Sequence, residues 1–376
     1  MRHAFASLVL LGFVAPAVAG DPGEDRADVA YHRYDGGGLT VDGPSLLVRK
    51  TFADQYAVTA GYQLDMISNA SIDVVTTASP YSEDRHQFDL GFEYLSGKLS
   101  YGLGLSHSFE DDYESTTARF SVSQDLFADL TRLSFHFAFG WDDVSKNGAP
   151  SFSAEVDRRV YGIDISQILS QRLVVGLAWD LITEEGFLSN PYGSVRYRDR
   201  DAPRGYRLQP EVAPRTRNGS AIALRASYQF PYRFAVHGEY RFYSDDWDIR
   251  AHTFELGYTH GIGENWVFGA HYRFHTQDGA DFYADLFPRR DYQEFMTRDR
   301  SLSSMTTQTI GVGLSYEFST PWLSFLDRSS INLDYDVVLY DYDEFRDLRF
   351  TEVRVGREPL YSFDANVIQL YFSGWF

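Results

Sequence analysis

Along most of the chain, hydrophobic residues recur at every second position. In Gln87–Leu95 the residues Phe88, Leu90, Phe92 and Tyr94 alternate with Gln87, Asp89, Gly91 and Glu93; after a turn at Gly97, Leu99, Tyr101, Leu103 and Leu105 alternate with Ser100, Gly102, Gly104 and Ser106. A period of two sends successive side chains to opposite faces of a strand, so this segment predicts a hairpin with one greasy face and one polar, small-residue face. The same pattern runs through Leu133, Phe135, Phe137, Phe139 and Trp141, through Leu173, Val175, Leu177, Trp179 and Leu181, and through Ile310, Val312, Leu314, Tyr316 and Phe318. Fifteen such segments lie between Gly43 and Phe376, and Ala27–Tyr34 is a shorter candidate ahead of the turn Asp35-Gly36-Gly37-Gly38.

A soluble sandwich also alternates, so the connections must separate it from a membrane barrel. Walking backward from Phe376, every second connection is short: Pro231-Tyr232, Gly263-Glu264-Asn265, Ser170-Gln171, Gly97 and Ala53-Asp54-Gln55. The intervening connections include long ones at roughly 185–216, 278–303 and 343–361. Short turns at one end and long loops at the other are the layout of an outer-membrane barrel, with turns periplasmic and loops extracellular. The segment 319–328 is the exception, somewhat long for a periplasmic turn. Two termini at the same end require an even strand count, which makes the expectation an all-β, single transmembrane antiparallel up-and-down barrel of 16 strands, with 14 as the alternative. Aromatic pairs add a second check. Tyr228-x-Phe230 and Tyr316-x-Phe318 close descending strands, Tyr240-x-Phe242 and Tyr272-x-Phe274 sit high on ascending ones, and each pair shares a face, as interfacial belts do.

Both ends of the chain fit this expectation. Arg2 and His3 precede the apolar run Leu8–Val14, and Ala17-Val18-Ala19 offers a small-x-small cleavage site, so 1–19 is expected to be a secretory signal peptide and 20–376 the barrel. The run is shorter than the roughly 20 residues that span a bilayer as a helix. The last segment, Ser362–Phe376, alternates with Asp364, Asn366, Ile368, Leu370, Phe372 and Phe376 on one face. A closing strand ending on an aromatic suits a barrel whose last strand pairs with its first, and Leu370, Phe372 and Phe376 form the expected C-terminal assembly signal for the barrel assembly machinery.

Composition sharpens this picture. Aromatics make up 16% of the chain, yet no run after the leader is long enough for a spanning helix; a barrel hides its hydrophobicity in this way because every second residue faces a polar lumen. The absence of cysteine fits a secreted chain without a disulfide framework. A formal charge of −19 argues against nucleic acid as a partner and leaves outer-membrane lipid and lipopolysaccharide as the surroundings. Lys50, Lys98 and Lys146 are the only lysines among 34 basic residues, and arginine's planar fork suits carboxylate networks, although a GC-rich coding sequence gives the same bias.

Sending the greasy positions to lipid sends their neighbours inward. Arg225, His237, Glu239, Arg241, Glu255, His271, Arg273 and His275 then face the lumen on four consecutive strands, the densest ionisable cluster in the chain. It reads first as a paired network that stiffens the wall and second as a constriction that selects solutes by charge. His271 and His275 lie about 13 Å apart on a strand, at roughly 3.3 Å per residue, and so cannot share one metal ion. Acidic clusters fall in the expected extracellular loops, at Glu110-Asp111-Asp112, at Asp245, Asp246 and Asp248, and at Asp341, Asp343, Glu344 and Asp347. None has the spacing of a twelve-residue calcium loop, so a loop-bound Ca²⁺ or Mg²⁺ is only a weak alternative to a solvated acidic face, and no cofactor is expected. No metalloprotease, nucleotide-binding or nucleophile-elbow motif is present, and no enzymatic activity is expected.

Several segments together resemble the bacterial outer-membrane family known as domain of unknown function 3570: Glu155–Arg159, Asn190–Tyr197, Pro214–Arg217, Pro231–Arg233 leading to His237–Arg241, Asp281–Arg289 and Glu358–Asn366. The resemblance covers nearly the whole mature chain and implies an outer-membrane barrel without assigned catalytic residues. Members look often to be encoded near flavin-transferase and thioredoxin-like proteins, so the resemblance implies an extracytoplasmic redox setting and no more. Two of these segments lie in long loops and mix Arg, Tyr, Asn and Pro, so one or both are expected to fold inward and narrow the lumen, pairing their arginines with Glu239, Glu255 or nearby acids. The leading functional expectation is a passive or gated channel for small polar solutes; the alternative is a non-conducting scaffold barrel that holds a periplasmic or surface partner, in a redox or electron-transfer role.

Overall fold

The computed structural model describes residues 23–77, 81–319 and 325–376. The expected signal peptide and half of the segment 319–328 lie outside these residues. Eighteen strands follow in chain order: β1 (Arg26–Gly36), β2 (Leu39–Phe52), β3 (Tyr56–Asn69), β4 (Tyr81–Ser96), β5 (Leu99–Phe109), β6 (Tyr113–Leu126), β7 (Thr131–Ser145), β8 (Ser153–Ser170), β9 (Leu173–Gly186), β10 (Ser194–Arg198), β11 (Tyr206–Pro210), β12 (Thr216–Phe230), β13 (Phe234–Asp245), β14 (Arg250–Ile262), β15 (Trp266–Gln277), β16 (Met305–Phe318), β17 (Arg328–Arg346) and β18 (Leu360–Trp375). Sixteen of them close an antiparallel barrel in which each strand pairs with its neighbours in sequence and β9 passes to β12; β10 and β11 form a separate two-stranded hairpin. The sixteen-strand expectation holds.

Closure runs through β1 and β18, in register from Arg26↔Trp375 to Gly36↔Ala365. Every wall strand is therefore flanked by a partner on both sides and no edge strand remains. The short first strand extends one residue before and two after the stretch read from the sequence. It returns into β2 through Gly37 and Gly38, at φ +60° and +80°, the left-handed pair that a two-residue hairpin turn demands. At the opposite end the short turns also use positive φ, as at Tyr232 and Arg233 between β12 and β13.

The outward face carries the hydrophobic half of the alternation: Leu90, Leu103, Leu177, Leu224, Leu256 and Ile310 are all exposed. Rings gather near the short-turn end, with Phe230 stacked on Phe234 at 4.7 Å, Trp266 against Tyr316 at 4.5 Å, and Phe318 near Phe372 at 6.5 Å. Nearer the other end, Tyr240 and Phe242 flank His252 at 6.1 and 5.1 Å. Both belts fit the interfacial role read from the paired aromatics. Phe376 lies one residue beyond β18; its N–H donates to the Asp25 carbonyl at 3.2 Å and its ring lies under Lys50, 4.9 Å away.

The long loops are more ordered than the sequence suggested, and two of the three are shorter. β17 continues to Arg346, past an irregular register between Asp341 and Arg346, so the last loop is 347–359. Segment 187–215 contains the β10–β11 hairpin, and segment 278–304 contains a 3-10 turn at Arg300–Leu302. A six-residue helix, α1 (Ile72–Thr77), follows β3, and its Ile72 is buried against Tyr342, Phe345 and Tyr361.

Candidate functional site

Strand register sorts the lumenal residues of β12–β17 into three rows. The row nearest the long loops reads Ala223, Arg241, Thr253, His275, Thr307 and Tyr340. The next reads Arg225, Glu239, Glu255, Arg273, Thr309 and Val338, and the third Ser227, His237, Gly257, His271, Gly311 and Asp336. Since Leu224, Tyr240, Phe254, Leu256 and Tyr272 alternate with them on the outer face, all eight residues of the predicted cluster point inward.

Only part of that cluster is paired. Arg225 donates from Nε to Glu239 at 2.6 Å and from Nη1 to Asp164 at 3.2 Å, tying β12 to β13 and β8. His271 Nε2 lies 3.4 Å from Asp336 on β17. His275 Nδ1 bonds with the Thr253 hydroxyl at 2.9 Å. Glu239 and Glu255 stand directly opposite each other, which like charges disfavour, and Glu239 turns to Arg225. Arg241, Glu255, Arg273 and His237 make no side-chain ion pair or hydrogen bond among the described residues. His271 and His275 sit two rows apart on one strand, as the spacing required.

Glycine is what lets these side chains lie flat. His271, Gly311 and Asp336 share a row, and a Cβ at Gly311 would collide with both the His271 ring and the Asp336 carboxylate. The same device recurs across the barrel, where His136 Nε2 reaches Asp180 at 3.2 Å over Gly162, its row neighbour on both sides. The sequence reading missed this second His–Gly–Asp row; the available signal was a glycine inside a strand, a mark of close approach by a neighbouring group.

A second constellation closes over the long-loop end. Arg196 of β10 is fully buried, donates to Glu358 from Nη1 at 2.7 Å and to the Asp285 carbonyl from Nε at 2.8 Å, and ion-pairs with the Asp285 carboxylate. Arg298 joins Asp285 at 3.1 Å, and Arg346 donates to the Glu358 carbonyl at 2.6 Å. One guanidinium thus ties together segments 187–215, 278–304 and 347–359. Burial would raise the Glu358 carboxyl, but Arg196 outweighs it and holds the group below the usual carboxylate range. Glu211, beside the hairpin, accepts from the Asn190 N–H at 2.8 Å and the Thr297 hydroxyl at 3.0 Å; burial, with the Asp299 charge nearby, pushes it up to about 7.

This arrangement corrects one expectation. The loop arginines pair with loop carboxylates, not with Glu239 or Glu255, because the loops pack on one another across the barrel end. Their contact with the wall is mostly aromatic and backbone. Arg300 lies over the Phe363 ring at 5.5 Å, and Gln277 donates to the Ser301 and Ser303 carbonyls at 2.9 Å. Val195, Phe287 and Met296 form one small apolar core in this layer, and Trp247, Ile249, Ala280 and Phe282 another. A cavity of about 350 Å³ opens among the three loops, lined by Arg198, Tyr283, Asp285, Asp343, Glu344 and Arg346.

The acidic loop clusters are divided among separate tasks. Asp112 accepts from the Tyr192 hydroxyl, Asp347 takes both nitrogens of the Arg349 fork, and Asp245 accepts from Arg217, Tyr243 and the N–H groups of Trp247 and Ile249. Among the described residues, no three His, Asp or Glu side chains converge as metal ligands would.

The model of a family described as "Protein of unknown function (DUF3570)" matches residues 72–161 and 154–326. Among solved structures, the fold is similar to one described as "Bacterial polysaccharide outer membrane secretin", with a TM-score of 0.52 and 10% identity over 96% of this chain and 99% of that one. Weaker likenesses include the "CymD monoaromatic hydrocarbon channel", at TM-score 0.44 and 12% identity over 94% and 88%, and the P. putida toluene transporter TodX, at 0.43 and 11% over 94% and 90%. At such identities the likeness bears on the fold alone, an outer-membrane-type barrel. None of the curated proteins compared matches the chain.

Proposed function

We propose, from the premise that this chain belongs to the family described as Protein of unknown function (DUF3570), that it is an outer-membrane channel for small polar solutes, gated by its loop layer. One observation carries the reading. Midway down a closed barrel, ionisable side chains that face inward remain open to water: Arg225 is 51% exposed, His136 43% and His271 35%. A small barrel fills its interior with side chains, whereas one of about sixteen strands is wide enough for an aqueous channel. The flat His–Gly–Asp rows keep that interior wide. The apolar outer face and its two aromatic belts support a place among outer-membrane lipid and lipopolysaccharide, with the assembly machinery reading Leu370, Phe372 and Phe376. The proposed work is conduction, not catalysis.

Single-channel recording on the refolded full chain, beside a variant lacking 190–213, tests the reading. The full chain is expected to show brief, low-conductance openings, and the deletion, which removes Arg196 and its hairpin, to show larger and longer ones. Silence from both at every voltage would overturn the channel. The buried pairing of Arg196 across the loop layer favours a second reading, a sealed scaffold barrel holding a periplasmic or surface partner in a redox setting. That reading expects silence from the full chain and from the deletion alike.

A further inference from the structure

We infer that Arg241, Arg273 and His275, floored by the hydroxyls of Thr253, Thr307 and Thr309, form a binding site for small oxyanions on the lumen wall beneath the loop layer. The inference deepens the channel reading and rests on it for the word solute, but binding itself does not require conduction.

Unpaired guanidiniums in this chain need an explanation, since acidic residues outnumber basic ones by 53 to 34. Several other wall arginines are matched: Arg49 with Glu93, Arg85 with Asp65, Arg132 with Asp125, Arg158 with Asp142 and Glu184, and Arg217 with Asp245. Arg241 and Arg273 have no such partner among the described residues, although Glu255 stands directly opposite Arg273 in register. Charge is only partly sorted along the lumen: Arg241 stands in the row nearest the loops, Arg273 shares its row with Glu255, and Asp336 and Asp334 lie in the rows below.

Register brings the arginines near one another: Arg241 shares a row with His275 through Thr253, and Arg273 lies two residues along β15 from His275, in the next row. Thr307 is the row neighbour of His275, and Thr309 that of Arg273. Two forked donors with hydroxyls between them match the several oxygens of a carboxylate or phosphate, which arginine engages through paired N–H groups. The groups facing this site with the opposite sign are Glu239, already held by Arg225, and Glu255.

Isothermal titration of the detergent-refolded full chain with citrate and, separately, with inorganic phosphate tests the site. Each arginine supplies a charge-assisted bond, so an Arg241→Gln, Arg273→Gln variant should weaken binding at least about tenfold. Asp334→Asn should leave binding unchanged or strengthen it. Arg241→Lys, Arg273→Lys should recover part of the affinity, as retained charge without the fork predicts. Preference for one of the two probes identifies carboxylate or phosphate as the chemistry. In bilayers, the glutamine variant should also lose preference for chloride over potassium. Binding that is absent from the wild type, or unaffected by removing both arginines, overturns the site. Binding lost with the arginines in a protein that never conducts leaves the site standing and removes the channel instead.

Discussion

In the loop layer, Arg196 is enclosed by protein and meets carboxylates from two other loops, whereas on the barrel wall Arg225 is half exposed with its partners and Arg241 and Arg273 have none. The physical reason is hydration. A guanidinium removed from water must recover its solvation from fixed partners, and leaving it or them alone is severely unfavourable. On the wall, lumen water does that work, so pairing becomes optional and weakly stabilising. Saturated pairing in this molecule therefore marks a structural joint, and absent pairing marks a surface kept ready for something else.

The strongest way to break this contrast is to remove the joint. Arg196→Ala leaves Asp285 and Glu358 buried without their main counter-charge and should cost the loop layer about 3–5 kcal/mol. The loss should be local, because the barrel's backbone pairing does not pass through β10. Hydrogen exchange should lose protection across 194–210 and 285–298 while amides of β12–β17 hold theirs. Equal loss in both regions would mean that the loops and the wall fold as one unit and that the contrast is false.

A gentler test uses acidity. The Glu211 carboxyl is raised to about 7 in the folded layer, against about 4.3 when exposed. The folded layer thus holds an extra proton between those values, and its stability, full below about pH 4.3, declines as pH rises toward 7. Glu358 runs the other way: its carboxyl is depressed, so its contribution is present above about pH 4.3 and is lost as pH falls through its lowered folded value. Exchange in 190–213 should therefore be slowest in mildly acidic solution and faster on both sides. Glu211→Gln should abolish the acceleration toward neutral pH and keep the one in acid. The stretch of wall around Arg225, where the charges stay exposed, should show neither limb.

How much of this was legible beforehand follows the same division. Period-two alternation and connection lengths predicted the barrel, its strand count and the inward set from Arg225 to His275, because a strand leaves no choice about which face a residue takes. The partners of those residues were less legible: Asp336 lies about sixty residues from His271 and meets it only because Gly311 stands between them in register. The loop layer was least legible. Arg196, Asp285 and Glu358 all lay within segments singled out by the family resemblance, yet nothing local in the sequence says that residues 89 and 162 positions apart will share one buried fork. Loop contacts obey no period, so only the mixture of Arg with buried-type aromatics hinted at order there.

The smallest expected effect is the most discriminating for the wall. Arg225 bridges Glu239 and Asp164 at 2.6 and 3.2 Å, a geometry that resembles the Arg196 joint on distance alone. Its side chain is 51% exposed and its partners 33% and 30%, so each charge retains much of its water. Arg225→Ala should then cost only about 0.2–1 kcal/mol in urea unfolding of the micelle-bound barrel, and added salt should shrink even that difference. A cost near that of Arg196→Ala would show that lumen water is too sparse to hydrate the wall, and the passage inferred from its exposed charges would be closed. A small, salt-sensitive cost would place Arg225 on the aqueous side of the contrast, where a close contact between opposite charges is a consequence of register and not a source of stability.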